Sequence, residues 1–449
     1  MRLAFHDCLK YSDDLSSNEI NGCDGCLNPT GMNIDLMEKY EESRNAPNNL
    51  TLFTNNNGLT VTADILEEVF TNPNFPRGKW IPKLDVSMKD SGKSRADLWA
   101  FAALVALKKG IDNNNKACDG QANQAVCGHR EAGKAGCEVE LPRLPRFQTG
   151  RKDCVASPNA EKPWHSPKME IQPRPVGNGP ETAAFCREQF GLNARQCIAL
   201  IGGAHSFAKF NSAFSLMPYQ WTRDQVPLFN NQVFKQLARH EQYFYACNED
   251  KTTLIQIGDD FGQPRNTSWR VQRRRFTENG GPFQWFHNYD RCLGSNTCAG
   301  INVNDPVPKG EPGQNMEFSD TTQECCGNLA SGMQCQAQCV KTWQNRERAL
   351  SSDVGFYLKF QVHESGRPMG CGAFTQAWLN DKRQQSGEVD CPLEDHAPEG
   401  QAMWEIVEEM AKSNENMMVD FLPAFEKMIE NGYGNGDLTP QNLNMFFQN

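Results

Sequence analysis

The segment Met1-Arg-Leu-Ala-Phe-His-Asp-Cys8 places an arginine one helical turn before a histidine, with an aromatic residue directly preceding that histidine. On a helix, Arg2 and His6 share a face. A neutral imidazole beside a fixed cation takes a proton from a small polar substrate, and the cation then stabilises the charge that develops. Hydrogen peroxide is such a substrate. A second histidine, His205, closes the apolar run Ile201-Gly-Gly-Ala-His-Ser206. Two such histidines can face each other across a flat cofactor.

The elements that must hold these residues read mainly as helices. Asp85 to Lys109 reads as a lead-in and a helix, with Ser94-Arg-Ala-Asp97 as its cap and Leu98, Trp99, Phe101, Ala102 and Leu104 as an apolar stripe. Asp112 to about Pro180 is rich in Gly, Pro and Asn and reads as long loops. Thr182 to Lys209 is helical in two parts, broken at Gly191-Leu-Asn, and Phe229 to Ala246 reads as a further helix. Cys247 to about Val340 has little periodicity and reads as an insertion held by disulfides. Met403 to Ile429 reads as one or two helices. Strand-like alternation is scarce, so the expected fold class is mainly α, in one domain with long ordered loops.

Composition narrows the compartment and the partners. The 449-residue chain carries 45 Lys and Arg against 55 Asp and Glu, a net charge of −10. An acidic chain without a basic cluster speaks against nucleic acid and anionic membrane as partners. No apolar run of about 18 residues is present, so no membrane span is expected. The 18 cysteines fit no repeated Cys/His spacing of a structural zinc module. They point to disulfides and an oxidising compartment, and the sequons at Asn49 and Asn266 agree with a secreted or extracellular protein. Catalytic residues rarely sit at a chain end, because ends fray. The start at Met1 is therefore expected to be an N-terminal truncation, consistent with the missing leader, or a misassigned start.

Several ordered motifs together resemble the plant, fungal and bacterial haem peroxidase superfamily. Arg2-Leu-Ala-Phe-His-Asp-Cys8 resembles its distal motif, Ala199-Leu-Ile-Gly-Gly-Ala-His-Ser-Phe-Ala208 its proximal motif, and Ser94-Arg-Ala-Asp-Leu-Trp-Ala-Phe-Ala-Ala103 its central helix. Gly150-Arg-Lys-Asp153 resembles the segment before the proximal part. Leu350-Ser-Ser-Asp-Val-Gly355 resembles the stretch bearing the partner of the proximal histidine, and Phe421 to Tyr433 the closing helix of intracellular members. The resemblance implies a haem peroxidase fold of about ten helices around a buried haem b. It spans 1–435, with insertions near 112–180 and 247–340 and a C-terminal tail at 436–449.

The resemblance also implies roles. His6 is the distal base, Arg2 stabilises charge as the O–O bond breaks, and Phe5 packs over the haem. Asn56, within Asn55-Asn56-Asn57, matches the asparagine that accepts from the second nitrogen of the distal histidine. His205 binds the iron and Asp353 accepts its other N–H; Asp259 and Asp260 are nearer in sequence but lack the surrounding match. Trp221 stands at the offset of the proximal tryptophan of the intracellular cytochrome c and ascorbate peroxidase class, whereas Phe5 matches the secreted classes, so the chain resembles a hybrid.

Asp7, Gly22 and Asp24 match ligands of a distal calcium loop, with Cys26 in place of its serine, and Cys8 and Cys23 match a disulfide pair of plant secretory members. Cys26 would then pair elsewhere. Ser206, Thr222, Asp224 and Asn230 match a weaker second cation site. Phe214 and Asn211 stand where ascorbate-using and manganese-oxidising members carry a substrate arginine and a ligand aspartate, so neither activity is expected. The distal tryptophan of the bifunctional catalase-peroxidases is absent, so strong catalase activity is not expected either.

The expected function is reduction of hydrogen peroxide to water, with one-electron oxidation of small donors of which phenols are candidates. The alternatives are a non-catalytic, disulfide-rich extracellular binding protein on the same fold and, with less support, a zinc protein using the clustered cysteines.

Overall fold

A computed structural model describes residues 1–11, 21–30, 32, 56–75, 86–118, 136–156, 159–167, 170–171, 173–174, 176–206, 221, 228–238, 349–362, 368–370 and 391–447, with the strand segments 244–247, 254–257, 269–272, 284–287, 297–298, 301–302 and 386–389. The helices are α1 Arg2–Asp7, α2 Thr60–Thr71, α3 Arg95–Cys118, α4 Gly179–Phe190, α5 Ala194–Ser206, α6 Gln232–Leu237, α7 Ser351–Val354, α8 Met403–Lys412, α9 Asn414–Ile429 and α10 Asn444–Phe447. The strands are short: β1 Gln148–Thr149, β2 Phe244–Cys247, β3 Leu254–Ile257, β4 Trp269–Gln272, β5 Gln284–His287, β6 Thr297–Cys298, β7 Ile301–Asn302, β8 Gln361–Val362, β9 Pro368–Met369, β10 Ser386–Val389 and β11 Thr439–Pro440. The class is mainly α, as the periodicity predicts.

Local chemistry sets the helix ends. Asn178 accepts from the Glu181 N–H while the Glu181 carboxylate reaches back to the Asn178 N–H, and Pro180 occupies the first turn of α4. Gly191 ends α4 in the left-handed region at φ 64°, a conformation open to glycine at no steric cost. Asn193 then caps α5 through its side chain on the Gln196 N–H. Ser94 caps α3 by accepting from the Asp97 N–H at 2.9 Å, and Ser413 separates α8 from α9 and caps the latter.

The helix α5 is the centre of the core. Cys197 to Gly203 are all buried, and the helix packs against α4, α6, α8 and α9. Gly202 and Gly203 make this closeness achievable. A Cβ on Gly202 would overlap the Phe234 ring of α6, and one on Gly203 the Phe421 ring of α9. The same core includes Ala4, Cys8 and Leu9 of the N-terminal segment, and α1 packs on α3 and α9. One apolar cluster therefore positions both histidine-bearing helices. Disulfides Cys8–Cys23, Cys26–Cys154, Cys118–Cys137 and Cys186–Cys197 pin the loops to it. The first is the pair the resemblance implies, and Cys26 indeed finds a different partner.

Two boundaries differ from expectation, and the C-terminal tail has contacts of its own. Helix α3 continues past Lys109 to Cys118, because Ile111, Asn114, Ala117 and Cys118 stay on its buried face. The asparagines that read as loop-formers instead bond across the fold: Asn114 Nδ2 to Cys137 O, and Asn115 to both the N–H and the C=O of Val139. The helix expected over Phe229 to Ala246 is confined to α6, and residues 244–247 pair antiparallel with 254–257. The tail 436–449 is docked. Strand β11 pairs with β1, and Phe446 packs on Phe101 with ring centroids 5.6 Å apart.

The insertion after residue 247 contributes β3 to β7. Strands β4 and β5 join β10 in a three-stranded antiparallel sheet of order β10-β4-β5. The sequons at Asn49 and Asn266, the cysteines Cys292, Cys325, Cys326, Cys335 and Cys339, and Asp259, Asp260, Asn211 and Phe214 lie outside the described residues. Among the described residues no helix is long and apolar enough to cross a membrane.

Candidate functional site

The first site is built on the single turn and a half of α1. Leu3, Ala4, Asp7 and Cys8 face the core, which turns His6 inward, with only 6% of it exposed. His6 Nδ1 lies 2.9 Å from Asn56 Oδ1, so of the three successive asparagines it is Asn56 that meets the histidine. The Asn56 amide nitrogen donates to Asn28 O at 3.1 Å and to Glu170 Oε1 at 3.0 Å. Those two acceptors fix which way the amide points, so its oxygen must face His6. His6 Nδ1 then carries the proton and Nε2 keeps its lone pair. Glu170 is held in turn by the Asn28 N–H at 2.8 Å.

Neither Glu170 nor Asn28 stood out in the sequence. Glu170 reaches the site through an antiparallel bridge to Tyr11 and the Ile171 N–H on Lys10 O, a long-range pairing with no local signal.

Electrostatics keep this base neutral. Burial, and then the Arg2 cation, push the His6 pKa down to about 3, against the opposing pull of the Asn56 hydrogen bond. Arg2 is exposed, yet enough protein surrounds its guanidinium for desolvation to lower it to about 10. Arg2 remains cationic at neutral pH and is anchored by donating to Asn57 O at 2.8 Å. Phe5, half-buried, lies edge-on to His6 with centroids 5.8 Å apart and packs on Phe190 at 5.4 Å.

This has a measurable consequence. Between about pH 3 and the ordinary imidazole range, the unfolded chain binds a proton at residue 6 that the folded chain refuses. Stability therefore falls as pH drops below about 6.5 and levels near pH 3. Over the same window His6 stays a competent base. Any rate that depends on His6 taking a proton is expected to be flat down to about pH 4 and to fail as pH approaches 3. Stopped-flow rates and denaturant midpoints across pH 3–8 read the two effects separately, and a rate that follows a pKa near 6.5 contradicts the assignment.

The second site lies at the C-terminal end of α5. His205 Nδ1 is 2.7 Å from Asp353 Oδ1, and the His205 ring stacks on Trp221 with centroids 3.8 Å apart and planes at 5°. Asp353 is 1% exposed, and its other oxygen accepts from the Leu350 N–H at 2.9 Å. Because Asp353 engages Nδ1, Nε2 is the nitrogen left for a metal, and 23% of the His205 side chain is accessible. A buried carboxylate on the far nitrogen fixes the tautomer and makes the imidazole a stronger donor. The sequence-derived trio His205, Trp221 and Asp353 is thus brought together.

The loop after α1 assembles Asp7 with Asp24. Asp7 Oδ1 accepts from the main-chain N–H groups of Asp24, Gly25 and Cys26, at 3.3, 2.7 and 3.1 Å. Asp24 Oδ1 accepts from Tyr11 Oη at 2.8 Å and from the Cys26 N–H at 3.1 Å. Burial and the Asp24 charge push the Asp7 carboxyl well above the usual carboxylate range. Gly22 packs so tightly on Asn431 that no Cβ fits. Ser206 and Asn230 are turned to different groups: Ser206 Oγ donates to Gly203 O, while Asn230 donates to Asn114 Oδ1 and accepts from the Gln232 N–H. Thr222 and Asp224 lie outside the described residues.

No protein-family model matches the chain, and no curated protein matches it.

Proposed function

We propose that the chain is a haem b peroxidase of an oxidising, extracellular compartment, reducing hydrogen peroxide to water and oxidising small donors one electron at a time. The observation that carries this reading is the pairing of opposite histidine environments. His6 is a neutral base with its lone pair on Nε2, beside a fixed cation. His205 is a ligand-type imidazole backed by a buried carboxylate. The resemblance of the motifs that bear these residues, and the disulfides, support the same reading.

The residues fit a haem iron on the chemistry of the donor set: His205 Nε2 would be the nitrogen ligand, and Asp353 and Trp221 fix its ring. When bound, the haem supplies the two electrons that peroxide cleavage requires. The chain does the proton work. His6 Nε2 takes the proton of one peroxide oxygen and delivers it to the other, which keeps its own proton and departs as water. Arg2 stabilises the negative charge on that oxygen during O–O cleavage. Asn56 and Glu170 hold the tautomer that makes His6 Nε2 an acceptor.

Calcium at the loop after α1 stays part of the proposal. Main-chain N–H groups bond Asp7 Oδ1, while Asp7 Oδ2 is buried with no hydrogen-bond partner and is the oxygen such an ion would take. Cys26, in a disulfide with Cys154, offers sulfur where the loop's serine would offer an oxygen.

The test is titration of the purified chain with haemin, followed by mixing with hydrogen peroxide. A sharp Soret band at one equivalent that shifts within the mixing time supports the proposal. Absence of the band sinks it. A band that peroxide leaves unchanged supports the non-catalytic binding protein instead.

A further inference from the structure

The element that carries Asp353 is too small to place it unaided. Helix α7 is 4 residues long, and a single turn gains little from its own hydrogen bonds. Its position is set from outside, on two sides. On one, Gly355 and Gly179 bring their backbones into direct contact, each filling the space where the other's Cβ would stand. On the other stands a tryptophan from the insertion.

Trp285 is 0% exposed. Its main chain exchanges hydrogen bonds with Ala349 in both directions, each at 3.0 Å. Its indole Nε1–H donates to Ser351 Oγ at 3.0 Å, and its ring packs on Phe360 with centroids 5.0 Å apart. Strand β5 is itself held by β4, which is paired to β10, so Trp285 is fixed by a sheet and not by a loop alone. Ser351 begins α7, and its C=O accepts from the Gly355 N–H at 2.8 Å. Leu350, between Ala349 and Ser351, donates its N–H to Asp353 Oδ2. A continuous path therefore runs from the insertion through Trp285, Ala349 and Ser351 to Asp353, and from Asp353 Oδ1 to His205 Nδ1.

We propose that Trp285 is a positioning residue for His205. By fixing Ala349 and Ser351 it aims the Asp353 carboxylate at the imidazole, and it makes the insertion the part of the chain through which that imidazole is tuned. The path to His205 stands on the geometry alone; its effect on an iron rests on the haem reading above. A buried carboxylate held closer to Nδ1–H strengthens Nε2 as a donor and favours the more oxidised metal.

The experiment compares Trp285→Phe, which keeps a ring and loses the N–H, with Ser351→Ala, which removes one oxygen, both in the full chain. In the haem-free protein, the ¹⁵N shifts of the His205 ring report its tautomer. Both variants are expected to draw the Nδ1 and Nε2 shifts together as the fixed tautomer becomes a mixture. In the haem-loaded protein, the same variants lower the iron–imidazole stretching frequency and make the iron potential more positive. Folded variants that keep the parent ¹⁵N shifts overturn the proposal, even with a lowered melting temperature, because purely structural support moves stability without moving the His205 signals. If Trp285→Phe does not fold, Ser351→Ala decides on the same readout. A chain that takes up no haem removes the proposed activity but leaves the ¹⁵N measurement intact, so the two failures are distinguishable.

Discussion

Replacing His6 with leucine is expected to slow the reaction of the haem-loaded protein with peroxide by about 10²–10⁴-fold, the contribution of a positioned general base. The change removes Nε2 and leaves an apolar side chain of similar bulk in a site that is 6% exposed, so the fold and the Soret band should persist. Asn56 and Glu170 lose their purpose in the variant but not their mutual hydrogen bond. An exogenous imidazole base small enough to enter beside Arg2 is expected to restore part of the rate. Stopped-flow spectroscopy at a series of peroxide concentrations measures the second-order constant directly. A variant that reacts at the parent rate removes His6 from the chemistry and the proposed function with it.

The second large effect concerns the other histidine. Asp353→Asn keeps a hydrogen-bond acceptor 2.7 Å from Nδ1 but removes its charge. Losing the charged partner of a metal-ligating histidine costs about 10–100-fold in affinity or activity. Haemin affinity measured by Soret titration, and peroxide rate measured on the loaded protein, are expected to fall together by that order. The iron potential should rise, since a neutral partner no longer favours the oxidised metal. Asp353→Glu, which restores the charge in a longer side chain, should recover part of the potential while still misplacing the ring. Equal haem affinity and potential in Asp353→Asn and the parent would show that His205 is not the ligand.

Much of this arrangement is legible because it is local. Arg2 and His6 sit one turn apart, Ser94 caps its own helix, and Gly191 ends one helix three residues before the next begins. The partners Asp353 and Trp221 were reachable only by motif resemblance, since nothing in their own neighbourhoods marks them. Among three consecutive asparagines, only the folded chain distinguishes Asn56, whose amide lies between His6 and Glu170.

What remained hidden is what the tertiary fold supplies. Glu170 and Trp285 sit in stretches without periodicity and act across the molecule. Helix α3 overran its expected end because its asparagines found partners at 137 and 139; tertiary hydrogen bonds offset a poor local propensity. Motif spacing places Asp7 beside Asp24, but does not disclose that backbone N–H groups and Tyr11 bond their Oδ1 atoms.

The long-range contacts of the loop behind His6 bear on the order of events during synthesis. Cys23 N–H donates to Asn431 O, the Asn431 side chain donates to Cys8 O, and Tyr433 Oη donates to Cys23 O. The loop behind His6 thus has its docking surface on residues made more than 400 positions later. The Cys26–Cys154 disulfide likewise joins residues far apart, with a separation of 128. Pairings of such sequence separation close slowly and leave time for mispairing. Refolding yield should accordingly depend on a thiol–disulfide shuffling catalyst far more than on haem.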